Sequence, residues 1–221
     1  MNNLSYLTKY SLLATLLCLS FLSGCTTTPI NLVPINVDKV SQAKAWEMKG
    51  KLAVRTQNEN FSTNLYWLHT QFRDELRLTT MLGTTILSLT TEQGLTRLEV
   101  DGKVYQHNDA QQLLTNVTGW SIPVQALPLW ITGQASADDL IDSFDEKNRP
   151  VILTTPLQSP SWHVEFQQWQ QQSGAELPRM LQLKRADLRL KIQVSQWQAL
   201  ANQNVSTNKQ DLGLMPDESK K

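Results

Sequence analysis

Two cysteines and three histidines in 221 residues leave little for redox or metal chemistry. Cys18 lies inside an apolar leader and Cys25 at its end, so a mature domain that starts there has no free thiol and no disulfide. Thiolate metal sites are thereby excluded, and His69, His107 and His163 fall in no metal-ligand spacing. G-x-S-x-G, H-E-x-x-H and a phosphate-cradling glycine loop are all missing. No cofactor, no metal and no catalytic residue is expected, and the chain reads as a protein that is not an enzyme. A pair of carboxylates that meet only in space is the one catalytic reading left open. Asp138 and Asp139 read instead as a solvated helix start, and the N-x-[ST] matches at Asn60, Asn116 and Asn204 as chance. Charge of one sign is lacking too. Removing residues 1–24 takes Lys9 and no acid, which leaves nineteen basic against twenty acidic residues. A near-neutral domain has no electrostatic footprint for nucleic acid.

No apolar run reaches transmembrane length. The longest, Ser11 to Leu22, is uncharged and of signal-peptide size. It runs directly into Leu22-Ser23-Gly24-Cys25, the pattern of a bacterial lipobox. Small residues let a signal peptidase approach the backbone, and the cysteine thiol takes a diacylglycerol before cleavage. Cys25 then becomes residue one, and acylation of its amine gives three chains. Two chains already anchor stably, at roughly 0.8 kcal/mol per buried CH₂. Thr26 rather than Asp at the second position points to the outer membrane of a Gram-negative cell. The organisation expected is a signal peptide (1–24), a lipidated tether (25–40), one domain (41–198) and a polar tail (199–221).

Within the domain, period-2 alternation dominates. It runs from Trp46 in "WEMKGKLAVRTQ", and it sets Phe61, Thr63, Leu65 and Trp67 on one face and Leu188, Leu190, Ile192 and Val194 on another. Asp101-Gly102 is a hairpin dipeptide, and Gln167 to Glu176 reads as a polar hairpin loop. The middle differs. Asn108 as N-cap and Gly119 as stop bracket one helix, Pro123 opens a second, and "SADDLI" reads as a third. Strands, then helices, then strands, with short connections, predict an α+β fold: an antiparallel sheet with helices packed on one side. Curved strongly enough, that sheet is a cup which the helices close over a cavity. Seven Trp suit the wall of such a pocket, although a packed core uses Trp equally well.

The lipobox, "WEMKGKLAVRT", "FSTNLYW", "LTTMLGTTILSL", the segment from Asp101 to Gly133 with its "LPLWITG", and "DLRLKIQVSQW" together resemble the LolB family. The resemblance covers roughly Ala45 to Trp197. It implies an incomplete β-barrel with an α-helical lid and an apolar cavity, as in the carrier LolA. It implies as partners a LolA-like periplasmic carrier, acylated lipoprotein clients and the outer membrane, with the chain held at the periplasmic face by the lipid on Cys25. A monomer is expected. The expected activity is to accept lipoproteins from the carrier and insert them into the outer membrane without nucleotide. An outer-membrane lipoprotein that binds another hydrophobic ligand, and an envelope scaffold without a cavity, are the competing readings.

Two groups of residues carry that expectation. By strand alternation and lid pattern, the acyl-chain cavity is assigned Leu65, Trp67, Leu87, Leu89, Trp120, Ile122, Leu127 and Trp130. The turn Met81-Leu82-Gly83 is the second group. Gly83 accepts positive φ and makes the bend. From the residues alone, a hairpin leucine folds back into the core. The resemblance implies the reverse: Leu82 protrudes and helps place cargo in the membrane. The family's turn usually reads Pro-Leu-Gly, so Met81 is a departure.

Overall fold

In the computed structural model, residues 31–203 are described. The signal peptide, Cys25 and most of the C-terminal tail lie outside them. The alternating segments become twelve strands: β1 (Leu32–Ile35), β2 (Ala45–Arg55), β3 (Asn60–His69), β4 (Arg73–Thr79), β5 (Thr85–Glu92), β6 (Leu95–Val100), β7 (Lys103–His107), β8 (Leu140–Phe144), β9 (Pro150–Thr154), β10 (His163–Gln172), β11 (Ala175–Arg185) and β12 (Leu188–Asn202). Among the described residues, two α-helices interrupt them, α1 (Ala110–Thr118) and α2 (Leu127–Ile131), and a short 3-10 helix, Val40–Gln42, lies between β1 and β2.

The strands form one antiparallel sheet in the order β7-β6-β5-β4-β3-β2-β12-β11-β10-β9-β8. Strand β12 runs back along β2 and so joins the first half of the chain to the last. Among the described residues no ladder joins β7 to β8, so the sheet is curved but unclosed. At one end lie the β2–β3, β4–β5, β6–β7 and β11–β12 turns, here called the Leu82 end; the opposite end carries the β3–β4 turn and His69.

Alternation decides the faces, because successive strand side chains point to opposite sides. Met48, Leu52 and Val54 on β2, Leu65 and Trp67 on β3, and Leu190, Ile192 and Val194 on β12 are all buried on the concave side. Gly50 breaks this series for a reason. It faces the β-bulge between Val194 and Gln196, where the carbonyl of Gln193 occupies the space a Cβ would need. Trp46, Trp67, Trp130, Trp162 and Trp197 are buried in the core.

Several sequence expectations change. "SADDLI" is no third helix: Ser136 to Asp139 form a turn, and Leu140 begins edge strand β8, which pairs with β9. Strands β10 and β11 run through the supposed Gln-rich loop, leaving only Ser173-Gly174 as the turn. Pairing across the hairpin overrides local polarity there. Residues 32–35, read as tether, form β1, which pairs with Ala199–Asn202 of β12, four residues read as tail. The N-cap of α1 is Asp109, whose carboxylate accepts from Gln112 N at 2.9 Å, rather than Asn108. Gly119 does end that helix, with φ 77°. The second helix begins at Leu127; residues from Pro123 instead form a turn closed on the Pro123 carbonyl.

Candidate functional site

Helix α1 packs over β6 and β7, and α2 over β11, so the helices and the segment between them lie across the concave face. Under this lid is a cavity of about 60 Å³. Its sheet wall includes Leu65 and Trp67 from β3 and Leu87 and Leu89 from β5; its lid wall includes Trp120, Ile122 and Leu127. All seven belong to the set assigned from the sequence. Leu52, Leu76, Leu78, Leu114, Val124, Ile131, Leu190 and Ile192 complete the lining, and every lining side chain is apolar. The eighth assigned residue, Trp130, lies elsewhere. It is fully buried with its ring 6.3 Å from Trp162, and its indole N–H donates to Asp139 Oδ2 at 2.9 Å. The same carboxylate accepts from Ser136 N at 2.8 Å. Asp139 is therefore a tie between the turn and α2 rather than a solvated helix start.

The cavity as it stands, about 60 Å³, is far smaller than the ~300–1,000 Å³ of a pocket that buries a drug-sized ligand. A long acyl chain therefore fits only if lid and sheet separate. Wider clefts adjoin both ends. At the Leu82 end a cleft of about 360 Å³ shares Leu78, Leu87 and Trp120 with the cavity and is rimmed by Glu59, Asp101 and Lys103. Trp120 stacks on Phe61 between the two, centroids 5.6 Å apart. At the His69 end a cleft of about 290 Å³ shares Trp67, Leu76, Leu89 and Val124. There Asp74 Oδ1 accepts from Trp67 Nε1 at 3.0 Å and lies 2.7 Å from His69 Nδ1. This fixes the indole that forms part of the cavity wall. Polar and charged groups thus stand at the mouths and none within, which suits a ligand gripped by burial alone.

One polar clasp holds the lid segment. Arg185 Nη1 donates to Ser121 O at 2.9 Å and its Nε to Pro160 O at 2.8 Å. The sequence offered no signal for it, since Ser121 and Arg185 meet only through the fold.

The β4–β5 turn is the second part of the site. Leu82 is 96% and Met81 73% exposed, so the leucine does not fold back. Gly83 holds φ 88° with open space around it. Thr80 braces the loop: its N–H donates to Thr84 O at 2.8 Å, its carbonyl accepts from Gly83 N at 3.0 Å, and its hydroxyl accepts from Thr84 N at 3.2 Å. Two large apolar side chains are thereby held out in water on a closed turn.

Comparison with known proteins agrees with this fold. The sequence model of the family described as outer membrane lipoprotein LolB matches residues 44–197. The chain is 65% identical to the outer-membrane lipoprotein LolB of Shewanella woodyi over 95% of its own length and 99% of that protein's. It is 66% identical to that of Shewanella sediminis, over 91% and 92% of the two chains. Among solved structures it is similar in fold to a LolA superfamily protein from Nitrosomonas europaea, with a TM-score of 0.51 at 8% identity, covering 76% of this chain and 91% of that one.

Proposed function

The chain belongs to the LolB family, and from that premise we propose that it is an outer-membrane receptor that takes lipoproteins from a LolA-like periplasmic carrier and inserts them into the outer membrane. It is held at the periplasmic face by lipid on Cys25, and it works as a monomer. The observation that carries this reading is the wholly apolar cavity between sheet and lid, with an exposed apolar loop at one end of the same sheet.

The energetics explain the design. Exposing an acyl chain of ~16 carbons to water costs on the order of 10 kcal/mol. A receptor must therefore offer apolar surface before the carrier lets go. Clients share only their lipid, so the grip must be non-directional. Residues Leu65, Trp67, Leu87, Leu89, Trp120, Ile122 and Leu127 supply it as the lid lifts; Trp130 supports the lid from behind. Direction requires only that each acceptor bind the chains better than its donor, with the bilayer as final sink. Leu82, with Met81 beside it and Gly83 making the bend, enters the bilayer and opens a path for the cargo.

The test is transfer. Carrier loaded with a tagged lipoprotein is mixed with this chain, and the chain should become loaded while the carrier empties. A fluorescent apolar probe in the cavity should be displaced by an acylated peptide and not by the same peptide without its lipid. Failure to strip the carrier, with the probe still bound, would leave a receptor for a different hydrophobic ligand. No probe binding at all would leave a scaffold.

A further inference from the structure

The convex face of the sheet carries a charge pattern that the fold does not need. Arg55 on β2 stands directly opposite Arg189 on β12, and Arg189 stands opposite Lys184 on β11. Three cations thus lie abreast on three neighbouring strands, about 5 Å apart. Like charges directly opposite one another destabilise a sheet. Lys191, opposite Ala53 and Gln182, and Lys51, opposite Gln193, extend the patch on the same face. Among the described residues, only Lys184 of these has an acidic partner, Glu165 Oε1 at 2.7 Å. Arg55, Arg189, Lys191 and Lys51 are exposed and, among the described residues, in no ion pair; the acids of the adjoining turns, Glu59 and Asp187, pair with none of them.

The position of the patch says what it fits. All five cations occupy the half of the sheet next to the Leu82 end, because β2 finishes at Arg55 and β12 begins at Leu188 there. Strand β4, which leads into the Leu82 turn, is three strand spacings from β12, roughly 15 Å. A donor of acyl chains must approach the lid and the cavity mouths, on the concave side. The cations point away from it. A surface broad enough to meet both the Leu82 turn and the convex face is a bilayer, and the charge selects its anionic headgroups.

We propose that Arg55, Arg189 and Lys191, with Lys51 and Lys184 beside them, form a docking face for anionic phospholipid headgroups, which leans the domain on its convex side while Leu82 enters the bilayer. The proposal rests on the reading that the Leu82 turn meets the membrane. Attraction of this kind grows with each cation near an anionic surface and fades beyond a Debye length.

The experiment uses the mature lipidated chain in vesicles, with Asp187→Cys carrying an environment-sensitive dye; Cys25 is acylated, so the label is single. Quenching by brominated lipid reports how close the β11–β12 turn comes to the bilayer. In phosphatidylcholine with about a third phosphatidylglycerol, quenching should be several-fold stronger than in phosphatidylcholine alone, and high salt should remove the difference. The combined Arg55→Gln, Arg189→Gln, Lys191→Gln variant should show the weak quenching in both vesicles while binding an apolar probe as before. Equal quenching in both vesicle types, or an unchanged response in the triple variant, overturns the proposal. So does loss of probe binding, since the cations would then be holding the fold. If the triple variant instead slows uptake from the carrier equally with and without anionic lipid, the face serves an acidic protein and the proposal falls. A failure of the Leu82 reading is separate: Leu82→Glu would then insert cargo normally, whatever the dye reports.

Discussion

Replacing Leu82 by Glu separates the two halves of the site. Leu82 is 96% exposed, so the folded state loses almost no burial when it changes. Surface substitutions of this kind stay within ~0.5 kcal/mol, which in a domain of this size moves Tm by about 1–2 °C. Bilayer entry is another matter. Burying a leucine side chain is worth ~1.5–3 kcal/mol, and every ~1.4 kcal/mol is tenfold in a population. Losing it lowers the membrane-inserted fraction of the loop by roughly 10–100-fold, and the carboxylate lowers it further. The cavity walls do not include residue 82, so uptake from the carrier should be unchanged. The assay follows tagged lipoprotein in two steps, carrier to receptor and receptor to liposome. The expected result is a normal first step, a second step slowed at least about tenfold, and an unchanged melting curve, with Leu82→Phe keeping most of the second step. A clear drop in Tm, an equal loss in both steps, or a normal second step would each refute the reasoning.

Four further outcomes follow from individual contacts. Gly50→Ala places a methyl against the carbonyl of Gln193 at the β12 bulge, and denaturant unfolding should show a loss of about 1–3 kcal/mol or more. Asp74→Leu strands the nearly buried Trp67 indole N–H and should cost ~1–3 kcal/mol, whereas Asp74→Asn keeps an acceptor and most of the stability. Arg185→Met removes both ties between Arg185 and the carbonyls of Ser121 and Pro160; stopped-flow should show faster entry of an apolar probe, and an unchanged rate would mean that the clasp does not gate the lid. The Glu165 carboxyl is held below its ordinary range, first by the hydrogen bond from Lys184. Its folded pKa is depressed, so its stabilising contribution is present above the ordinary carboxylate pKa and is lost as pH falls through the folded value. Melting curves taken from pH 6 downward should therefore show a slightly shallower acid loss in Lys184→Met than in the native chain.

Much of this molecule was written in local patterns. Period-2 alternation is a property of the strand itself, so the apolar faces of β2, β3, β5 and β12 could be read without knowing their neighbours, and seven of eight residues picked by pattern line one cavity. An antiparallel sheet with helices on one side followed from the order of the elements and their short connections, whereas the incomplete barrel and its lid came from the resemblance to the LolB family. What the sequence left open depends on register and on long-range pairing. Strand β1 pairs with the end of β12 across almost the whole domain, which no local signal announces. Asp139 reaches Trp130, Asp74 reaches Trp67 and His69, and Arg185 reaches Ser121 only once turns and ladders have set their positions. Trp130 looked like cavity wall because it shares a helix with Leu127, yet its side of that helix faces Trp162. Leu82 shows the division most sharply. Composition favours a turn leucine folding inward; the Thr80 hydrogen bonds and the positive φ of Gly83 hold it outward. Sequence fixes which face of an element is apolar, because that is set by the backbone period. Only the tertiary structure decides what that face meets, because that depends on residues far away in the chain.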